Sequence, residues 1–84
     1  MTHLKYARFH RRAEVLKQLV ELNYCTAFGE DAWRRQNLDA RWWALKYNAI
    51  KGRITLQEAE GRLNEAIKVF VADFLGRNVR LIIN

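Results

Sequence analysis

The sequence predicts an all-α fold, and three observations carry that expectation. Proline is absent, and there are only four glycines, three of which (Gly29, Gly52 and Gly76) fall where helices should end. Apolar residues recur at spacings of three and four along three long stretches. Before the third stretch stands the pattern Thr55-Leu56-Gln57-Glu58, in which a threonine hydroxyl and a glutamate three residues on can each satisfy an orphan backbone N–H. The predicted architecture is a compact three-helix bundle with a central two-faced helix and a short apolar C-terminal tail. It forms a single domain over residues 1–84. Half the residues are apolar and ten are aromatic, which supplies a core for a chain of this size.

The first helix is expected from about Leu4 to Phe28, with Thr2 as its cap. Tyr6, Phe9, Ala13, Leu16, Val20, Tyr24 and Ala27 make one narrow apolar face. A second row, Leu4, Val15, Leu19 and Leu22, lies off that face and is a surface for a second copy of the chain or for the tail. Asn23 to Thr26 are weak helix formers, so the helix end is not fixed by propensity. Gly29 suits a left-handed C′ position, and Asp31 is expected to cap the next helix.

The central helix is predicted over Asp31–Lys51 as one rod. At about 100° per residue, Trp33, Ala40, Trp43, Ala44, Tyr47 and Ile50 fall on one side, and Leu38, Trp42, Leu45 and Ala49 on the other. Such a helix needs a partner on each flank. All three tryptophans sit on it. The third helix follows the Thr55 cap, presents Leu56, Ala59, Leu63, Ala66, Ile67, Phe70 and Phe74 to the core, widened by Val71 and Leu75, and ends at Gly76. Gly61 inside it predicts a close helix approach. The tail, Arg77–Asn84, is too short for another helix and has no strand to pair with, so it is expected to strap over the bundle. The alternatives are pairing with the same tail of a second subunit, which leaves a homodimer open through the tail or the first helix, and addition to the sheet edge of a partner.

The net charge of +6 is placed unevenly. Residues 1–53 hold eleven Lys/Arg against five Asp/Glu, whereas residues 54–84 hold four of each. The excess therefore lies on the first two helical segments and suggests an anionic partner. Ten of the fifteen basic residues are arginine, the side chain suited to bidentate phosphate or carboxylate contacts. The binding residues expected are Lys5, Arg8, Arg11, Arg12, Arg34, Arg35, Arg41 and Lys46, with Lys51 and Arg53 beyond them. Trp42, Trp43 and Tyr47 are the candidates for a protein interface, because aromatic and arginine side chains make typical anchors. The turn at Gly52 does not fit a helix-turn-helix. Asn48 stands where a small apolar residue packs and Glu58 where an aliphatic one is buried.

The sequence offers little to reaction chemistry. His10 and Glu14 are one helical turn apart, but two ligands on a solvated edge do not close a metal site. Cys25 has no histidine near it and cannot pair within the chain. Glu58, Glu60 and Glu65 suit the N-terminal half of their helix electrostatically. No phosphate loop or nucleophile elbow occurs. The expectation is a non-enzymatic protein with no cofactor and no metal. The MTHLKYARFHRR start has no apolar h-region and no apolar run approaches a membrane span, which predicts a soluble, cytoplasmic chain without membrane contact. Its expected role is that of a small regulator that contacts nucleic acid or a nucleoprotein complex through the arginine-rich face. The alternative is an inhibitor or adaptor that binds an acidic protein surface, for example a phage or plasmid accessory protein acting on a host machine.

Overall fold

Among the described residues four helices, not three, follow one another. The structure, a computed structural model, describes residues 2–83, with the side chains of Thr2 and His3 excluded. The cap expected at Thr2 therefore lies outside the described residues. Helix α1 is Thr2–Phe28, α2 Glu30–Gln36, α3 Leu38–Ile50 and α4 Leu56–Gly76. There is no strand among the described residues. At a rise of about 1.5 Å per residue, α1 is about 40 Å long, and it sets the 41 Å long axis of the molecule. The three other helices all pack on it, and α3 also meets α4.

The single two-faced rod expected over Asp31–Lys51 does not exist. Asn37 takes a left-handed conformation, φ 55° and ψ 32°, and splits the segment into α2 and α3. Its N–H donates to the Arg34 carbonyl at 3.1 Å, closing α2, while its own carbonyl accepts from Arg41 N at 3.4 Å in the first turn of α3. Asparagine tolerates this region better than most residues with a Cβ. The reason for the break lies in the tryptophans. Trp33 and Trp42 are nine residues apart, about half a turn round a straight helix, so a rod could bury both only between two layers. The bend at Asn37 lets both reach α1. Trp33 packs on Tyr24 with ring centroids 6.0 Å apart, and the Trp42 indole N–H donates to the Ala13 carbonyl at 2.7 Å.

Asp31 does not cap the segment either. Gly29, at φ 91°, precedes Glu30 directly, and no side chain caps α2. The helix start is stabilised instead by the two carboxylates of its first turn, Glu30 and Asp31, which suit its positive dipole end.

Helices α1 and α3 run antiparallel, as Glu14 pairs with Lys46 and Lys17 with Asp39. Helices α1 and α4 run parallel, as Arg12 meets Asn64 and Tyr24 meets Asp73. The apolar face predicted for α1 forms the core down to Tyr24. Phe9, Ala13, Val20 and Tyr24 are buried, Tyr6 and Leu16 partly so, and Ala27 is exposed. From α4 come Ala59, Leu63, Phe70 and Phe74, and the Phe70 and Phe74 rings pack about Tyr24, tilted at 6.0 Å and edge-on at 5.0 Å. Leu75, expected to widen this face, is exposed. Thr55 caps α4 as predicted, its hydroxyl accepting from Glu58 N at 3.0 Å, while the Glu58 carboxylate turns to Arg62.

Gly61 contradicts the close approach expected of it, because a Cβ built there meets nothing within 4 Å. Gly61→Ala is therefore expected to raise the free energy of unfolding by about 0.5–1 kcal/mol, the ordinary helix-propensity gain. Urea denaturation measures it, and a loss of stability would reveal a constraint at this position that the packing does not contain.

After Gly76 the chain turns back through Asn78, left-handed at φ 59°, with Val79 N donating to the Phe74 carbonyl at 3.0 Å. Val79 and Leu81 pack on the core, and the tail lies along its own chain as an extended strap. What holds it is Asn23, a buried amide on α1. Its Oδ1 accepts from Ile82 N at 2.7 Å, and its Nδ2 donates to the Ile82 and Leu19 carbonyls, each at 2.9 Å.

Candidate binding surfaces

The first two turns of α1 and the turn after them carry the densest cationic surface. Lys5, Arg8, Arg11 and Arg12 are all exposed, and none has a carboxylate within ion-pair distance among the described residues. Arg12 donates to Asn64 Oδ1 on α4, which fixes its guanidinium without neutralising it. Arg8 lies nine residues before Lys17, about half a turn round the helix. Lys17 reaches α3 through Asp39 at 2.9 Å, so the arginine stripe faces away from α3. Exposed Leu4 and Val15 border it.

The remaining predicted cations are divided among other tasks. Lys46 is only 14% exposed and forms an ion pair with Glu14, which corrects its assignment to a partner surface. The Lys46 ammonium, hydrogen-bonded to Glu14, holds that carboxyl below its ordinary range, and Asp39 raises Lys17. These four residues are a latch between α1 and α3. Arg34 is bracketed by the carboxylates of its own helix, Glu30 at 3.1 Å and Asp31 at 3.2 Å. Arg35 Nε donates to the Asp31 carbonyl at 3.3 Å. Both arginines are exposed, and such surface pairs are weak, yet they leave α2 close to neutral. Arg41 is exposed and stands apart from the α1 stripe, at the rim of a groove of about 360 Å³ between α3 and α4. Leu38, Leu45, Leu63 and Ala66 contribute its apolar floor, and Arg41 and Arg62 are the charged residues of its lining.

The adjacent tryptophans separate sharply. Trp42 is 4% exposed and belongs to the core, so it is not an interface anchor. Trp43 is 60% exposed and stacks on Tyr47, ring centroids 4.9 Å apart and planes 14° from parallel. Lys51 Nζ lies 5.5 Å and the Arg53 guanidinium 5.3 Å from the Tyr47 centroid. Asn48 Oδ1 accepts from Arg53 at 3.4 Å and steadies it. Exposed Ile50 extends the patch. The i to i+4 spacing from Trp43 to Tyr47 to Lys51 was the signal for this column. The break at Asn37 is what turned it outward.

No group of three or more His, Cys, Asp or Glu side chains converges to hold a metal among the described residues. Desolvation pushes the Cys25 thiol up, away from the thiolate, and Glu21 and Glu30 add to that shift. Asp73 accepts from Arg77 Nε at 2.9 Å and from the Tyr24 hydroxyl at 3.0 Å, an arrangement that lowers the carboxyl and ties α4 to α1. No described helix is long and apolar enough to cross a membrane. No protein-family model matches this chain, and no curated protein or solved structure matches it either.

Proposed function

We propose that this chain is a small non-enzymatic binding protein that contacts the phosphate backbone of nucleic acid, free or within a nucleoprotein complex, through α1. One observation carries the reading. Lys5, Arg8, Arg11 and Arg12 stand unpaired by carboxylates within eight residues, while Lys17, Lys46, Arg34, Arg62 and Arg77 all have carboxylate partners. The stripe is about 10 Å long, matching the axial rise of about three phosphates along one strand. Its contacts would be to the backbone, positioning the protein without reading bases.

Salt dependence tests this. Mobility shifts on duplex DNA should weaken steeply with salt, and replacing Arg8, Arg11 and Arg12 together by alanine should reduce the log–log slope by about 2.7, close to 0.9 per lost phosphate contact. Their exposure predicts an unchanged melting temperature. No retardation of duplex or single strand at low salt would remove the reading.

The α3–α4 groove favours a second reading, an adaptor that takes an acidic, partly apolar protein segment between Arg41 and Arg62. Its test is capture that survives nuclease treatment and is lost in Arg41→Glu.

A further inference from the structure

From the Trp43–Tyr47 column we infer a stacking site for an unpaired nucleobase, so that the nucleic acid bound is single-stranded at this point. The inference rests on the nucleic-acid reading above and adds to it a second surface, on α3.

The geometry is that of a stacking platform. Tyr47 covers one side of the Trp43 indole, holding the ring in place, and Trp43 remains mostly open to solvent. Base–aromatic stacking needs a flat ring fixed in advance and a cationic path for the flanking phosphates. Lys51 and Arg53, one ring removed from the indole, supply that path. Asp39, one turn before Trp43, is already engaged by Lys17. The column also stands at the cationic end of α1. The Tyr6 hydroxyl donates to the Lys46 carbonyl, bringing the last turn of α3 against the turn that carries Lys5 and Arg8. A strand passing Lys51 and Arg53 is thus brought to the end of α1 that carries the arginine stripe, and would have to pass round α1 to lie on the stripe itself, which turns away from α3.

Two other occupants fit less well. A base inside a duplex has both faces covered by its neighbours, so the platform selects an unstacked one. A second copy of the chain seated on this column would find Trp43, Tyr47 and Ile50 as its large apolar groups. A fully buried aromatic offers about 150–250 Å², and a stable dimer buries about 800 Å² per partner. Each copy also carries a net charge of +6.

The protein contains its own reporter. Trp33 and Trp42 are buried, so solvent-sensitive tryptophan emission comes from Trp43. The experiment titrates the full chain, at low salt, with a thymidine 20-mer and with a duplex of equal length, following emission and affinity together. The 20-mer should quench the exposed component and the duplex should not. Trp43→Ala should weaken the 20-mer about tenfold or more with little change for the duplex, and Trp43→Phe should recover part of the loss. Binding of the 20-mer without quenching, at an affinity indifferent to Trp43→Ala, would overturn the inference and leave the α1 reading standing. Failure of both oligonucleotides to bind would remove both. Quenching by a protein partner alone would reassign the column to a protein interface and overturn the inference too.

Discussion

Trp42→Ala is expected to remove about 3–5 kcal/mol of folding free energy, the usual cost of truncating a buried tryptophan, while Trp43→Ala should cost less than about 1 kcal/mol. The two residues are neighbours of the same type, so composition and propensity are matched in the comparison. What differs is the environment. Trp42 lies between α1 and α4 with its N–H on the Ala13 carbonyl, so truncation opens a cavity and removes a hydrogen bond. Trp43 loses only its stack on Tyr47. A domain of this size has about 4–13 kcal/mol in all, so Trp42→Ala should leave it near the edge of folding. Trp42→Phe, which keeps a ring but not the N–H, should fall between. Urea denaturation monitored by circular dichroism reads all three without depending on the replaced fluorophore. Equal costs at positions 42 and 43 would mean that the two faces of α3 are alike, and the assignment of Trp43 to an outward surface would fail.

That contrast also marks how far the sequence could be read. The apolar faces of α1 and α4 and the Thr55 cap were legible because each depends on residues within one or two turns. The break at Asn37 was not, because helix periodicity counts angles as though the rod were straight. Two faces needing cover can be served by two partners or by one bend, and the angular pattern is the same for both. The half-turn between Trp33 and Trp42, with an asparagine between them, held the clue, but only packing on α1 decides it. The candidate surface was legible in its residue types and less so in their availability. Arg34 could be discounted from Glu30 and Asp31 at helix spacing. Lys46 could not, since its partner Glu14 lies 32 positions away. Lys5, Arg8, Arg11 and Arg12 stay unpaired because Glu14, the acidic residue nearest in sequence, is taken by Lys46 and Lys17.

Asn23→Ala is the other substitution with a large expected effect, about 2–3 kcal/mol, from the loss of three hydrogen bonds worth about 1 kcal/mol each. The residue is 2% exposed in the interior of a helix where asparagine is a weak former, so its cost in propensity is offset by what the amide does. One side chain supplies the acceptor and the donor that a neighbouring strand would give Ile82, satisfying an extended tail in a fold without a sheet. Alanine has the better helix propensity, so a purely local role, in which only the bond to the Leu19 carbonyl is lost, would leave the substitution within about 1 kcal/mol of neutral. The size of the loss separates the two accounts. A second comparison isolates the tail. In a chain ending after Asn78, Asn23 has no Ile82 to hold, and the same substitution should cost under about 1 kcal/mol, the difference being the coupling between amide and strap. Hydrogen exchange at Ile82 supplies the local readout. Its N–H should lose protection in Asn23→Ala while the amides of α4 retain theirs, since the strap can detach with the bundle intact. Equal costs in the full and shortened chains would show that Asn23 serves α1 alone and that the tail is held by Val79 and Leu81.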